Sequence, residues 1–225
     1  HFAIRRQRQM CIRDRAGSAG FRDSRARRSG CCSRSLTTPP HHQPPEIRVI
    51  AAGDSFREWA SLNDTIMGGS SSAGCRFSDQ GLVLEGEVVS EGGGFVSCRS
   101  PVYRPPLDLA SYSGLRLRLD GEGRSFKFAV ACRDGVFGLT ELIPGGLRWV
   151  TTVATESTDT TVVELPFDRL KPVVRAKPVS LPVRFDPSCI TRLQLLHSRF
   201  GDDGEPNPGY RAGAIKLLIR SIEAF

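Results

Sequence analysis

Residues 114–132 read GLRLRLDGEGRSFKFAVAC, and this stretch decides the fold class. Three leucines, at positions 115, 117 and 119, alternate with charged residues, and after the turn sequence Asp120-Gly-Glu-Gly the alternation resumes with Phe126, Phe128 and Val130. A period of two directs one face of a strand toward the core and the other toward water. The stretch therefore predicts two strands separated by a turn.

The same pattern recurs through residues 46–225. Further strand candidates are 82–87, 94–99, 147–154, 160–165, 190–196 and 215–220, with glycine- or proline-rich turns between them. Eight or more short, regularly punctuated strands are typical of an antiparallel sandwich or barrel. We expect an all-β jelly-roll sandwich, because it buries two faces and shortens its edges. A helical turn or two is expected near Ser55–Leu62, and the proline-rich segment 172–187 is expected to form a surface loop or a sheet edge.

The charge is unevenly distributed along the chain. Its 225 residues carry 31 basic and 24 acidic side chains, a formal charge of +7. Residues 1–45 contain ten arginines and two acids, or +8, which leaves −1 for residues 46–225. This balance excludes a uniformly basic nucleic-acid-binding domain. No apolar run approaches the roughly 20 residues needed to cross a bilayer, so no membrane-spanning helix is predicted.

Residues 1–45 show no helical or strand period, and we expect a disordered basic tail before a single β-sandwich domain at 46–225. An arginine-rich, acid-poor composition also fits an organelle transit peptide, or a basic arm for nucleic acid or anionic lipid. We favour a third interpretation, a translation artefact, because the sequence starts at His1 and Met10–Asp14 (MCIRD) resembles a translated sequencing adapter.

Cysteine and histidine spacing favours neither a zinc site nor a disulfide framework. The cysteines after residue 45, at positions 75, 98, 132 and 189, are widely spaced, and His197 is the one histidine in that part of the sequence. We therefore expect no metal and no cofactor, free thiols in a reducing compartment, and a structural role for His197. Cys132 is predicted to be a small buried apolar residue.

The sequence WASLNDTIMGGSS at Trp59–Ser71 is the most informative polar segment. Asn and Asp can fold onto the local backbone in a tight turn, and adjacent glycines permit close approach of another chain segment. One interpretation is a rigid corner in which Trp59 and Met67 plug an end of the sandwich. The other is a polar pocket in which Asn63 and Asp64 bind a partner. A second segment, GGGFVS at 92–97, lacks the lysine and the following helix of a phosphate-binding loop.

Together these segments resemble the complex I intermediate-associated protein 30 family. The resemblance covers roughly residues 56–225 and continues through 112–126, 165–167 and 198–200, although Asp159-Thr-Thr stands where the family usually has a tryptophan. It implies a galactose-binding-like β-sandwich, here in a single-domain form like that of prokaryotic members. The motif positions, which the resemblance implies to be partner-binding, are Trp59, Asn63, Asp64, Met67, Gly68, Gly69, Phe95, Ser97 and Arg124.

No catalytic residue is predicted, because nucleophile-elbow, zinc-protease and nucleotide fingerprints are all absent from the sequence. The resemblance implies a non-catalytic assembly factor or chaperone that binds protein subunits of a membrane respiratory or photosynthetic complex of the NADH dehydrogenase type. A carbohydrate-binding module and an RNA-binding accessory domain are the alternatives. The expected location is the cytoplasm of a prokaryote, peripheral to the membrane, or a mitochondrion or chloroplast if the tail is a transit peptide.

Overall fold

A computed structural model describes residues 46–133, 146–174, 177–179 and 183–225. These residues belong to one compact unit, Gln43–Phe225, and the expectations for residues 1–45 lie outside the described part. Thirteen strands and four short 3₁₀ helices form within the described residues, and these residues contain no α-helix. The strands are β1 (Arg48–Ala52), β2 (Ala60–Asn63), β3 (Ser72–Ser78), β4 (Gly81–Val88), β5 (Phe95–Arg99), β6 (Gly114–Asp120), β7 (Ser125–Cys132), β8 (Arg148–Ala154), β9 (Thr161–Pro166), β10 (Lys171–Val174), β11 (Lys177–Pro178), β12 (Ile190–Ser198) and β13 (Gly213–Ala224). The 3₁₀ helices are Gly53–Phe56, Asp64–Met67, Phe167–Arg169 and Pro187–Cys189.

The strands form two antiparallel sheets. A six-stranded sheet has the order β3-β4-β13-β6-β9, with β1 also paired to β13. A seven-stranded sheet has the order β11-β10-β8-β7-β12-β5-β2. The chain returns repeatedly from one sheet to the other, so most neighbouring strands are distant in sequence. The predicted all-β sandwich is confirmed.

The opening stretch forms β6 and β7, but its turn carries the chain from the six-stranded sheet to the seven-stranded one. Glu122 and Gly123 lie in the left-handed region of backbone space, at φ values of 55° and 70°. The Arg124 amide closes the turn by donating to the Gly121 carbonyl at 3.0 Å. The two alternating runs therefore face each other across the sandwich and do not form a hairpin.

One hydrophobic core fills the space between the sheets. The alternating side chains that predicted it are no more than 1% exposed, and they are Leu115, Leu117, Leu119, Phe126, Phe128 and Val130. All eight predicted strands are present. The segment near residue 55 is helical over Gly53–Phe56 alone, because β2 already begins at Ala60. Pro172 and Pro178 lie in β10 and β11 at a sheet edge, as predicted, and Cys132 is half-buried against the core.

Replacing Leu117 with alanine should lower the free energy of unfolding by about 2–5 kcal/mol, because a fully buried side chain leaves a cavity between the sheets. Urea unfolding followed by tryptophan fluorescence measures the change. The matched control is Val162→Ala on β9, where the side chain is 51% exposed, and we expect a change within about 0.5 kcal/mol. Equal effects of both substitutions would contradict the placement of the core.

Candidate functional site

Two segments that are distant in sequence meet at one end of the seven-stranded sheet. Asn63 ends β2 and pairs with Val96 of β5, so the residues that follow β2 lie beside the glycine-rich residues that precede β5. We call residues 63–71 together with 92–95 the corner. Gly68 ends the short 3₁₀ helix of this corner at a φ of 86°, which glycine adopts readily. The structure thus brings together the two motifs singled out in the sequence.

The carboxylate of Asp64 lies at the centre of the corner and is 0% exposed. Its Oδ1 accepts a hydrogen bond from the Ser71 amide at 2.9 Å. Its Oδ2 accepts from the Ser71 hydroxyl at 2.6 Å, from the Gly94 amide at 2.7 Å and from the Phe95 amide at 3.3 Å. A buried carboxylate is stable in a folded protein when such donors replace its lost water. Asp64 therefore joins the turn after β2 to the loop before β5.

The Asp64 side chain leaves no room for a side chain at two glycine positions of the motifs. A Cβ atom on Gly69 would lie 2.3 Å from Cγ of Asp64, and one on Gly93 would lie 2.6 Å from its Cβ. Neither approach is sterically allowed, and the surrounding atoms are too tightly held to move aside. Glycine at both positions is thus a packing requirement of the buried acid.

The pKa of Asp64 lies below its ordinary value. Burial raises the pKa, but the hydrogen bonds from the Ser71 hydroxyl and from the Gly94, Ser71 and Phe95 amides together outweigh it. The side chain therefore stays ionised through the neutral range. With its oxygens occupied by internal donors, it is suited to hold the corner together.

Ile66 and Met67 project from the tip of the corner. They are 65% and 68% exposed, on the 3₁₀ helix that starts at Asp64. Met67 therefore does not plug the sandwich. Trp59 does, since it is 6% exposed and packs edge-to-face on Phe56 with ring centroids 5.4 Å apart. The sequence analysis missed Ile66, although a large apolar residue inside a glycine-rich polar turn was a usable signal.

The remaining motif residues around the corner are largely internal. Asn63 donates from Nδ2 to the Ala73 carbonyl at 2.9 Å. The Ser97 hydroxyl is fully buried and donates to the Leu62 carbonyl at 2.7 Å. Phe95 is half-buried at the start of β5. These residues support the corner, and their predicted contact with a partner stays a prediction.

Arg124 belongs to a separate polar cluster at the same end of the sheet, beyond β12. Its guanidinium is 7% exposed and donates to the carbonyls of Arg211 and Ala214. His197 beside it is fully buried, with Nδ1 2.9 Å from the Ser125 carbonyl, and its ring stacks on Tyr210 at 5.2 Å. Burial lowers the pKa of His197, and the nearby positive charges of Arg124 and Arg211 lower it further. Hydrogen bonds with the backbone of Ser125 and Arg211 act in the opposite direction but do not outweigh these effects. The predicted structural role of His197 agrees with this environment.

The described residues contain no group of three or more His, Cys, Asp or Glu side chains placed to hold a metal ion. Within the same residues, no helix is long and apolar enough to cross a membrane.

Replacing Asp64 with asparagine should cost about 2–3 kcal/mol of stability, because a neutral amide presents N–H donors to amides that need an acceptor. The wild-type contribution is complete above the unfolded pKa of about 3.9 and is lost as the pH falls through the lower folded pKa. The difference between variant and wild type should therefore shrink below that pH. Chemical unfolding at several pH values measures it.

The control for this experiment is Asp54→Asn, since the Asp54 side chain is 79% exposed in a surface ion pair with Arg57. We expect a change within about 0.5 kcal/mol there. A pH-independent difference for Asp64→Asn, or no loss of stability, would contradict the described role of the carboxylate.

Two solved structures of low sequence identity share this architecture. One is the family 11 carbohydrate-binding module of the cellulosomal cellulase Lic26A-Cel5E of Clostridium thermocellum, with a TM-score of 0.57 and 12% identity over 80% of this chain and 94% of that chain. The other is a family 11 module from Clostridium thermocellum in complex with a β-1,3-1,4-mixed-linked tetrasaccharide, with a TM-score of 0.56 and 12% identity over 80% and 95%. At this identity the likeness establishes the galactose-binding-like jelly-roll fold and nothing about ligands.

None of the curated proteins compared with this sequence matches it. The family model described as complex I intermediate-associated protein 30 (CIA30) matches residues 49–219, which include most of both sheets, the corner and the cluster around Arg124. The chain therefore belongs to the complex I intermediate-associated protein 30 family.

Proposed function

We propose that this protein is a non-catalytic assembly factor that binds a protein subunit of an NADH dehydrogenase (complex I) type membrane complex through Ile66 and Met67. Membership of the complex I intermediate-associated family supports the class of partner. The observation that carries the proposal is the exposure of these two apolar side chains on a turn held from below by Asp64. The protein would act at the surface of the membrane that contains the complex.

Exposed apolar side chains on a rigid turn favour binding to a partner. Burying an exposed isoleucine or methionine against a partner contributes about 1.5–3 kcal/mol each. A turn that is already ordered loses little conformational entropy on binding, so more of this free energy appears as affinity. The flexible thioether of Met67 also adapts to partner surfaces of different shape.

The chemistry of the buried polar groups favours binding over catalysis. Asp64 accepts four internal hydrogen bonds. His197 is buried, with both ring nitrogens near backbone groups. A general base must reach a substrate proton directly or through one water, and neither side chain is placed for that.

The two alternatives have less support. Sugar sites use exposed aromatic rings as platforms, whereas both tryptophans, Trp59 and Trp149, are 6% exposed and face the core. Single-stranded RNA also binds by stacking of bases on aromatic side chains. The structural likeness to carbohydrate-binding modules therefore remains one of fold.

Replacing both Ile66 and Met67 with glutamate should abolish partner binding while leaving the fold intact, because the side chains lie in solvent. In the native host, deletion of the gene should reduce assembled complex I, and the double variant should restore it no better than an empty vector. Blue-native gels stained for NADH dehydrogenase activity measure the assembled complex. The melting temperature of the purified variant should match wild type within a few degrees.

The matched control is Val162→Glu, which places the same charge at an exposed apolar residue on β9 of the other sheet. It should restore assembly fully. Normal assembly in the deletion strain would refute the proposed function, and full rescue by the double variant would refute the role of Ile66 and Met67.

A further inference from the structure

Two exposed side chains lie beside the corner at the end of the neighbouring strand. β12 pairs with β5 as far as Ser198, which lies opposite Phe95. Arg199 and Phe200 follow directly, and both are exposed, Phe200 to 43%. They leave the sheet at the end where residues 92–94 enter it. Strand pairing therefore places both side chains next to the corner.

Gly94 connects Arg199 to the buried acid of the corner. Its amide donates to Oδ2 of Asp64 at 2.7 Å, and its carbonyl accepts a hydrogen bond from the Arg199 amide at 3.0 Å. A Cβ atom on Gly94 would lie 3.4 Å from the Cβ of Arg199, so the two backbones are in close contact. Hydrogen bonds on both sides of one residue thus fix the position of Arg199 relative to Asp64.

The loop that precedes β5 also contacts the tip of the corner. A Cβ atom on Gly92 would lie 3.3 Å from the carbonyl oxygen of Gly68. Gly68 directly follows the exposed Ile66 and Met67. One loop therefore separates Arg199 from these two apolar side chains, and a single bound segment of a partner protein can contact both sides of it.

The side chain of Arg199 lies over this loop in an ordered position. Its Nη1 donates to the Ser90 carbonyl at 3.4 Å, and its guanidinium carbon lies 6.0 Å from the centroid of the Phe200 ring. The backbone is held as well, since the Asn207 amide donates to the Arg199 carbonyl at 2.9 Å. The corner thus has a guanidinium group and a third exposed apolar side chain, that of Phe200, beside it.

The positive charge of Arg199 is not neutralised by a neighbouring acid. Among the described residues, no carboxylate lies within ion-pair distance of it. Asp202 pairs at 3.4 Å with Lys171 of β10, which lies on the side of β12 away from β5. Asp203 accepts a hydrogen bond within its own turn, and Glu91 is exposed without an ion pair to Arg199. The guanidinium is therefore available to a carboxylate from another molecule.

We propose that Arg199 is the polar determinant of partner binding at the corner. In this arrangement a segment of the partner protein packs apolar side chains on Ile66 and Met67 and places a carboxylate on the Arg199 guanidinium. A guanidinium matches a carboxylate in planar, two-bond geometry, which orients the bound segment. The inference rests on the proposed function, because it takes the partner to be the same protein subunit.

A single arginine favours a protein segment over a membrane surface. Proteins that bind anionic lipid through charge use clusters of basic residues. Here Arg199 is the one basic residue in the segment 198–205, which also contains Asp202, Asp203 and Glu205. One guanidinium among acids is suited to one carboxylate in a defined place.

Complementation of the deletion strain tests the charge of Arg199. Arg199→Glu sets like charges against each other and weakens binding strongly, so this variant should restore little assembled complex I on blue-native gels. Arg199→Lys keeps the charge and should restore most of it. The matched control is Arg76→Glu, at an exposed arginine of the other sheet that pairs with Glu85, and it should restore assembly fully. Each purified variant should melt within a few degrees of wild type.

Photocrosslinking in the native host measures the contact itself. The photoreactive amino acid p-benzoylphenylalanine replaces Thr65, an exposed residue beside Ile66, and mass spectrometry sequences the peptide joined to it. We expect a peptide of a complex I subunit in which an aspartate or glutamate lies within a few residues of apolar side chains. Arg199→Glu should lower the yield of this adduct by about tenfold or more, whereas Arg76→Glu should leave it unchanged.

A charge exchange identifies the carboxylate of the partner. Arginine is placed at each acidic position of the crosslinked peptide in turn, and one such change should block assembly with the wild-type protein and restore it with Arg199→Glu. Equal adduct yield with Arg199→Glu, a crosslinked peptide without an acidic residue, no protein adduct, or no restoring position would overturn the inference. An adduct to lipid would overturn it in favour of a membrane surface.

These outcomes separate the role of Arg199 from the proposed function. Full rescue by Arg199→Glu, with no rescue by Ile66→Glu/Met67→Glu, would remove the role of Arg199 alone. Normal assembly in the deletion strain would remove both.

Discussion

The buried carboxylate of Asp64 is the interaction on which the corner depends. A charge removed from water is destabilising unless donors surround it, and here the donors come from Ser71 on one side and from Gly94 and Phe95 on the other. Because Ser71 and Gly94 are 23 residues apart in the sequence, one side chain fixes the path of both segments. The carboxylate also explains the glycines at positions 69 and 93, because the backbone there must come within van der Waals contact of Asp64.

In the proposed function, the corner is the surface of the seven-stranded sheet that meets a partner. At the corner, a rigid loop presents Ile66 and Met67 to solvent. Such an apolar contact would supply affinity for the proposed partner. A rigid apolar contact suits the proposed assembly factor, which would recognise a subunit before the subunit reaches its final complex.

The sequence predicted the core well because strand alternation is a local property. The alternate apolar side chains of residues 115–119 and 126–130 face the core, as their period of two predicts. The sequence did not reveal β1, β2 and β3, which are short or rich in small residues, nor the sheet change at Glu122–Gly123. The burial of Asp64 was equally inaccessible, since it depends on the pairing of β2 with β5.

Residue-resolved amide hydrogen exchange, by NMR, tests the role of Asp64 most directly. In the wild-type protein the amides of Ser71, Gly94 and Phe95 should exchange slowly, at rates close to that of global unfolding. In the folded Asp64→Asn variant these three amides should exchange much faster, while amides within β6 and β13 keep protection in proportion to the variant's global stability. Equal relative protection of the three amides in both proteins would show that something other than the carboxylate holds the corner, and would contradict this account.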